Sequence, residues 1–334
     1  MIEAQVCFHW PSLLARRRSS AMGLVICVAL ASGGCSITRT TVRSLAVNVL
    51  GDALSDSASV YASDEDPELV REALPFNLKT LETLLQSSPQ NRGLLLSACS
   101  MFTLYAAGFI DADAEVAEWR DFDYATADTL KIRARKMYVR ARNYCLQLVE
   151  LDHAGISDRL RQDSDLAVEV FDEEDVETLY WLVASWGLAI GIGLDQPELS
   201  ADIPAVRALM NRALTLDEDY DRGALHSAFI TLESVPEALG GSPVRAREHF
   251  HRAVELSGGL DASPYVSLAS GVAVATQNRA EFVSLLESAL AVDPDANESI
   301  RLANLVAQRR AELLLDHIDE LFDPVEEEQE EVKP

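Results

Sequence analysis

Histidine, cysteine and basic residues are scarce in this 334-residue chain, and each scarcity removes a class of function. The six histidines are scattered. His249 and His251 are two apart, so on a helix they point about 200° away from one another and cannot chelate one ion. No HExxH, CxxC, GxSxG or Gly-rich phosphate loop occurs, which removes the usual signatures of metal, redox, acyl-transfer and nucleotide chemistry. Paired acidic residues are too common here to mark a catalytic dyad. The expectation is a non-enzymatic protein without a cofactor. Lys and Arg total 28 against 54 Asp and Glu, a formal charge of −26. So large an acidic excess argues against a nucleic-acid surface, since phosphate binding needs basic clusters, and against flat adhesion to anionic lipid headgroups. Alternating β-branched runs are missing, and the 16 glycines and 12 prolines fall mostly between helical patterns, so the chain reads as all-α.

The N-terminus carries the clearest positive signal. Arg16, Arg17 and Arg18 precede an apolar run from Ala21 to Ala31, followed by Ser32-Gly33-Gly34-Cys35-Ser36. A basic stretch, a greasy segment and small residues make a secretory signal. The run is too short for a bilayer, which takes about 20 residues. The cysteine after small residues resembles a bacterial lipobox, with Ser32 where Leu is usual. That resemblance implies a signal peptide over 1–34, lipidation of Cys35, and a mature chain of 25 basic and 53 acidic residues, formal charge −28. Ser36, not Asp, follows the lipid site, which by analogy points to the outer membrane. Cys7 and Cys27 leave with the signal. Cys99 and Cys145 lie in apolar helical contexts and are expected as two buried thiols, a disulfide being the alternative that an extracytoplasmic compartment permits.

After the lipid site, residues 35–62 hold a short apolar stripe (Leu45, Val47, Leu50, Leu54) interrupted by Ser55-Asp56-Ser57-Ala58-Ser59. Asp64-Glu65-Asp66-Pro67 is a helix start, with a carboxylate cap and an early Pro. Helical periodicity then runs to Phe322, giving a domain over 63–322. Five stretches share an ending: Leu84 to Pro89, Leu148 to Asp152, Ala213 to Asp217, Ala253 to Leu256 and Ala289 to Pro294. The last two steps are 40 and 36 residues, near the 34 of a tetratricopeptide repeat. The expected architecture is stacked antiparallel helix pairs, as degenerate tetratricopeptide-like repeats. The acidic stretch Asp163 to Glu177 reads as an exposed connection into a helix at Val176. Asn297 is expected to cap the last helix, whose buried stripe would be Leu302, Val306, Leu313, Ile318 and Phe322. Residues 323–334 read as an acidic, disordered tail. Trp181 and Trp186 are candidates for the wall of an apolar cavity, against the alternative of core packing. His226 and Phe229 form a second candidate lining pair, against a hydrogen-bonded core histidine.

The ordered series of short stretches resembles the T-component (TatT) of TRAP transporters. It includes Leu45-Ala46-Val47-Asn48-Val49-Leu50-Gly51-Asp52, Asp64-Glu65-Asp66-Pro67-Glu68-Leu69-Val70, Gly223-Ala224-Leu225-His226, Ala238-Leu239-Gly240-Gly241, Ala246-Arg247-Glu248-His249-Phe250 and Arg301-Leu302-Ala303-Asn304. The resemblance implies a periplasmic, lipid-anchored homotrimer. Each subunit would dock a solute-binding protein of a TRAP system and assist uptake of a hydrophobic or organic-acid ligand through an internal bore. An envelope scaffold with no transport role is the competing expectation.

Overall fold

The computed structural model describes residues 57–323; the signal peptide, Cys35, the Leu45–Leu54 stripe and the tail beyond Asp323 lie outside them. Among the described residues there is no strand. The principal helices are α1 (Ser57–Ala62), α2 (Pro67–Ser87), α3 (Arg92–Arg120), α4 (Tyr124–Asp152), α5 (Ile156–Gln162), α6 (Ser164–Ala167) and α7 (Val176–Ile192). They continue with α8 (Pro197–Ser200), α9 (Ile203–Leu216), α10 (Ala224–Glu233), α11 (Pro243–Ser257), α12 (Ser263–Leu268), α13 (Arg279–Leu290), α14 (Arg301–Asp316) and α15 (Ile318–Leu321).

Local chemistry sets the helix starts. Asp66 accepts the backbone N–H groups of Glu68 and Leu69, with Pro67 at the first helical position where no donor is needed. Asn91, Asp123, Ser242 and Asn278 cap α3, α4, α11 and α13 in the same way. Pro75 lies on the solvent face of α2, where water can take the carbonyl that loses its donor. The five shared endings all terminate helices. Gly240 sits at φ +90° after α10, and a Cβ on Gly241 would fall 1.8 Å from the Val235 carbonyl, so this turn admits only glycine. Beside it Glu233, almost fully buried, is clamped by Arg207 from α9 and Arg245 from α11.

Helices pack largely in chain order: α2 on α3, α3 on α4, α4 on α7, α7 on α9, α10 on α11, α12 on α13 and α13 on α14. Links of only four and three residues (88–91 and 121–123) fold α2, α3 and α4 back on one another. Three apolar clusters result. One joins α2, α3 and α4, the central one joins α4, α7 and α9, and the third joins α10 to α14. Helix α3 is apolar and long enough to cross a bilayer, yet 72% of its apolar window is buried within the fold, which accounts for its composition. The series closes on itself. Helix α14 returns to α1, α2 and the end of α3. Arg309 pairs with Glu68, and Arg301 donates to the Ser63 carbonyl at 2.8 Å.

Four expectations are corrected. Cys99 and Cys145 form a disulfide, with Cα atoms 5.5 Å apart. They lie on facing positions of the packed helices α3 and α4, an adjacency that apolar context alone did not show. The serine-rich stretch does not break the chain throughout, because α1 begins at Ser57. Asn297 makes no side-chain cap; a 3₁₀ turn over Glu298–Ile300 leads into α14. The fully buried stripe of α14 is Asn304, Ala307, Ala311 and Leu314, which packs toward α12 and α13; Leu302, Val306 and Leu313 are half-buried on the neighbouring face. Phe322 is buried as expected, and Ile318 is half-buried. The acidic connection keeps its carboxylates mostly exposed, but Val168 and Phe171 turn inward and Arg212 donates to the Phe171 carbonyl.

Candidate functional site

Helix α7 carries the least conventional face. One side buries Leu179, Leu182, Val183, Trp186 and Ile190 in the central cluster. The other presents Tyr180, Trp181, Ala184, Gly187 and Leu188, all half-buried, and then Gly191, which is exposed. The spacing of three and four puts these on one stripe. At Gly187 and Gly191 an added Cβ would meet nothing within 4 Å. So a strongly apolar helix leaves open room along a strip of glycine and alanine.

At its first turns this strip bears an aromatic group. Tyr180 and Trp181 meet edge to face at 4.9 Å, and Tyr180 and Tyr220 tilt together at 5.5 Å. Burial, with Asp221 and Asp261 nearby, pushes the Tyr180 hydroxyl well above its ordinary value, so it is a neutral donor. The next residues, Asp221 and Arg222, hold positive φ (39° and 55°) ahead of Gly223, so the turn is strained where it meets the aromatic group.

The two indoles part company. Trp186 is buried, donates its Nε1–H to Asp202 at 3.1 Å, and carries the Arg142 guanidinium over its ring at 5.2 Å. Five residues amount to about 140° on a helix, so only Trp181 reaches the open strip. His226 and Phe229, both buried on α10, meet His249 of α11. The two imidazoles share an Nδ1···Nδ1 hydrogen bond of 2.8 Å, and His249 stacks on Phe229 at 4.4 Å. Burial lowers the pKa of both, that of His249 to about 4, so the pair is neutral and one Nδ1 donates to the other. His226 Nε2 faces the Glu218 carboxylate at 3.5 Å without a hydrogen bond. The sequence offered no sign of His249 as partner.

A third group was not anticipated. Helix α3 has two π-helical turns, Ala106–Asp111 and Val116–Arg120, and such turns often mark places where a helix re-aims side chains. They bring Asp111 and Glu115 to Arg310 of α14. Glu115 takes Arg310 in a two-oxygen pair of 2.7–3.0 Å, and Tyr138 donates to Asp111 at 3.5 Å. Burial, then repulsion from Glu115, raises the Asp111 pKa to about 6. Arg310 keeps 36% of its side chain exposed in this setting. One turn before Gly108, Leu104 is 45% exposed, and Val306 of α14 lies 3.9 Å from a Cβ built at Gly108. The seam between α3 and α14 is thus apolar beside Gly108 and polar at the Glu115–Arg310 end. Among the described residues no three His, Cys, Asp or Glu side chains converge as a metal site.

Fold and site together define an all-α protein of packed helical hairpins with a half-open apolar strip on its central helix. The chain belongs to the TRAP transporter T-component family, whose family model matches residues 63–322. It is also similar to a protein of Treponema pallidum (strain Nichols) described as uncharacterized, at 27% identity over 316 residues, 89% of this chain and 97% of that one. Membership associates the chain with a TRAP transport system, and points to an accessory, non-enzymatic role in the cell envelope.

Proposed function

We propose that the chain is a lipoprotein, anchored through Cys35 in the outer membrane, that docks a periplasmic solute-binding protein and assists TRAP-type uptake of a hydrophobic ligand. The observation that carries the ligand reading is the strip Trp181–Ala184–Gly187–Gly191, where an apolar wall faces unfilled space. Apolar walls lower the cost of moving a greasy solute through water. An organic acid is the weaker candidate: Arg310, in the seam between α3 and α14, is already held by Glu115. The disulfide supports a compartment outside the reducing cytoplasm.

The test is affinity purification of the tagged full-length chain from solubilised membranes, with mass spectrometry of co-purifying proteins and apolar small molecules. Recovery of a solute-binding protein is expected; its absence after cross-linking counts against docking. Gly187→Phe places a ring in the open space. It is expected to lower retained apolar ligand about tenfold, equivalent to about 1.4 kcal/mol, while protein capture and helical circular dichroism stay unchanged. Ligand retention equal to wild type would remove the α7 strip from the proposal.

A further inference from the structure

Two of the chain's six histidines meet between packed helices, where the α7 strip makes no use of them. His226 of α10 and His249 of α11 hold their Nδ1 atoms 2.8 Å apart, with ring centroids 5.1 Å apart and the planes tilted by 42°. A contact of that length between two ring nitrogens takes one N–H and one lone pair. The outer nitrogen of His226 decides which ring supplies which. His226 is more than nine-tenths buried, and its Nε2 is, among the described residues, the buried side-chain nitrogen or oxygen left without a hydrogen bond. The Glu218 carboxylate lies 3.5 Å from it, itself held by Arg252 at 2.8 Å. A lone pair facing a carboxylate is repelled, so Nε2 carries the His226 hydrogen and Nδ1 is bare. His249 therefore keeps its hydrogen on Nδ1.

That arrangement is one proton shift away from a metal site. Histidine ligands turn one nitrogen to the ion and the other N–H to a carboxylate, which fixes the tautomer. Moving the His249 hydrogen from Nδ1 to Nε2, through solvent that reaches its half-buried ring, leaves two Nδ1 lone pairs facing one another. No proton is gained or lost by the pair. Lone pairs opposed across a hydrogen bond are nearly collinear, which suits a closed-shell ion of linear coordination. Metal–nitrogen bonds of about 2 Å would set the nitrogens about 4 Å apart, so the rings must part by about 1 Å. His249 lies flat on Phe229 at 4.4 Å, a face along which it can slide. Ions that want four or more ligands are poorly served, because no three His, Cys, Asp or Glu side chains converge among the described residues. Charge agrees. Around the pair stand Glu218, Asp219 and Glu233 against Arg207, Arg245 and Arg252, three of each sign. Desolvation cost grows with the square of an ion's charge, so this near-neutral setting favours a monovalent ion.

We propose that His226 and His249 form a two-coordinate site for a soft monovalent cation, Cu(I) being the ion of that class which imidazole suits, with Glu218 as the positioning residue for His226. This goes beyond the apolar-ligand reading and is independent of it, since the pair lies on α10 and α11.

The test titrates Ag(I) into the full-length chain in chloride-free buffer. Silver shares the charge and the linear preference and needs no reductant, so the Cys99–Cys145 bridge stays closed. In ¹⁵N-histidine spectra one equivalent should move the Nδ1 signals of His226 and His249 together and leave those of His153, His251 and His317 in place. Calorimetry should show His249→Gln weakening Ag(I) at least tenfold. Glu218 is exposed, so Glu218→Gln is expected to fold normally, as circular dichroism will verify, and to weaken Ag(I) about tenfold by releasing the His226 tautomer. Gly187→Phe should bind Ag(I) as wild type does, whatever becomes of its apolar ligand. Three results would overturn the proposal: His249→Gln binding Ag(I) as tightly as wild type, silver moving His251 or methionine methyl signals but not the pair, or Zn(II) displacing Ag(I) from the two imidazoles at equal concentration.

Discussion

Replacing Cys99 and Cys145 together by alanine is expected to cost about 4 kcal/mol of stability, the chain-entropy value for a cross-link spanning 46 residues. Both residues are wholly buried, and the bridge pins α3 to α4 at the join between the first and central apolar clusters. Cys145 Sγ also lies 3.9 Å from the Thr178 carbonyl of α7. The bridge therefore restrains the unfolded chain and ties α3 to α4, and alanine additionally leaves a small void against α7. Urea unfolding followed by circular dichroism checks the outcome. The double variant should unfold at a clearly lower midpoint, and strong reductant should shift the wild type toward it while leaving the variant unmoved. Coincident midpoints for variant and oxidised wild type would show that packing alone holds α3 on α4. The same bridge explains why a chain of this kind suits an oxidising compartment: in a reducing one it would lose a large share of a typical stability margin of about 5–15 kcal/mol.

Local features of the fold were legible in the sequence because their causes are local. Asp66 and Pro67 announce a helix start within four residues, and the five shared endings mark helix ends through a loss of periodicity confined to one turn. Contacts far apart in sequence were not legible. Cys99 and Cys145 meet only because two helices pack face to face, and the Glu115–Arg310 pair spans 195 positions. The closure of α14 on the first helices has the same origin. It also explains the shifted stripe on that helix. Periodicity correctly found apolar residues at Leu302, Val306 and Leu313, but two faces of α14 are covered, one closely by α12 and α13 and one, where these three stay half-buried, by α1, α2 and the end of α3. The sequence does not distinguish a close-packed face from a loose one. At the candidate site, helical spacing separates Trp181 from Trp186 by about 140°, so the two could not share one wall; that much was available from the sequence. Which of them faces room depended on where Asp202 and Arg142 lie, since they engage Trp186.

Asp111→Asn is expected to stabilise the protein at pH 7.5, against the usual direction for a buried substitution. The Asp111 carboxyl has its pKa raised from 3.8 to about 6 by burial and by Glu115. Between those values the folded chain holds a proton that the unfolded chain has released. Stability from this group is therefore greatest below the unfolded value and falls as pH rises through about 6. Above that it stays at a penalty of up to about 3 kcal/mol, at 1.36 kcal/mol per pKa unit. Asparagine keeps the shape and can still accept from Tyr138, so the gain should be about 1–3 kcal/mol at pH 7.5 and should vanish near pH 4. Glu115→Gln should act in the opposite sense. It takes the two-oxygen partner from Arg310, and because Arg310 stays one-third exposed the cost should lie below the range for a fully buried pair, about 2 kcal/mol. It also removes the repulsion on Asp111, so the pH slope should shrink. Urea midpoints at pH 4.5, 6 and 7.5 for both variants decide the matter. An Asp111→Asn effect that is destabilising at pH 7.5, or the same at all three pH values, would mean that the Asp111 carboxylate is adequately partnered at the seam. The predicted result means that Asp111 and Glu115 crowd Arg310 where α14 closes on the first helices, with the Lys131 charge only partly offsetting them, at a standing cost that asparagine would remove.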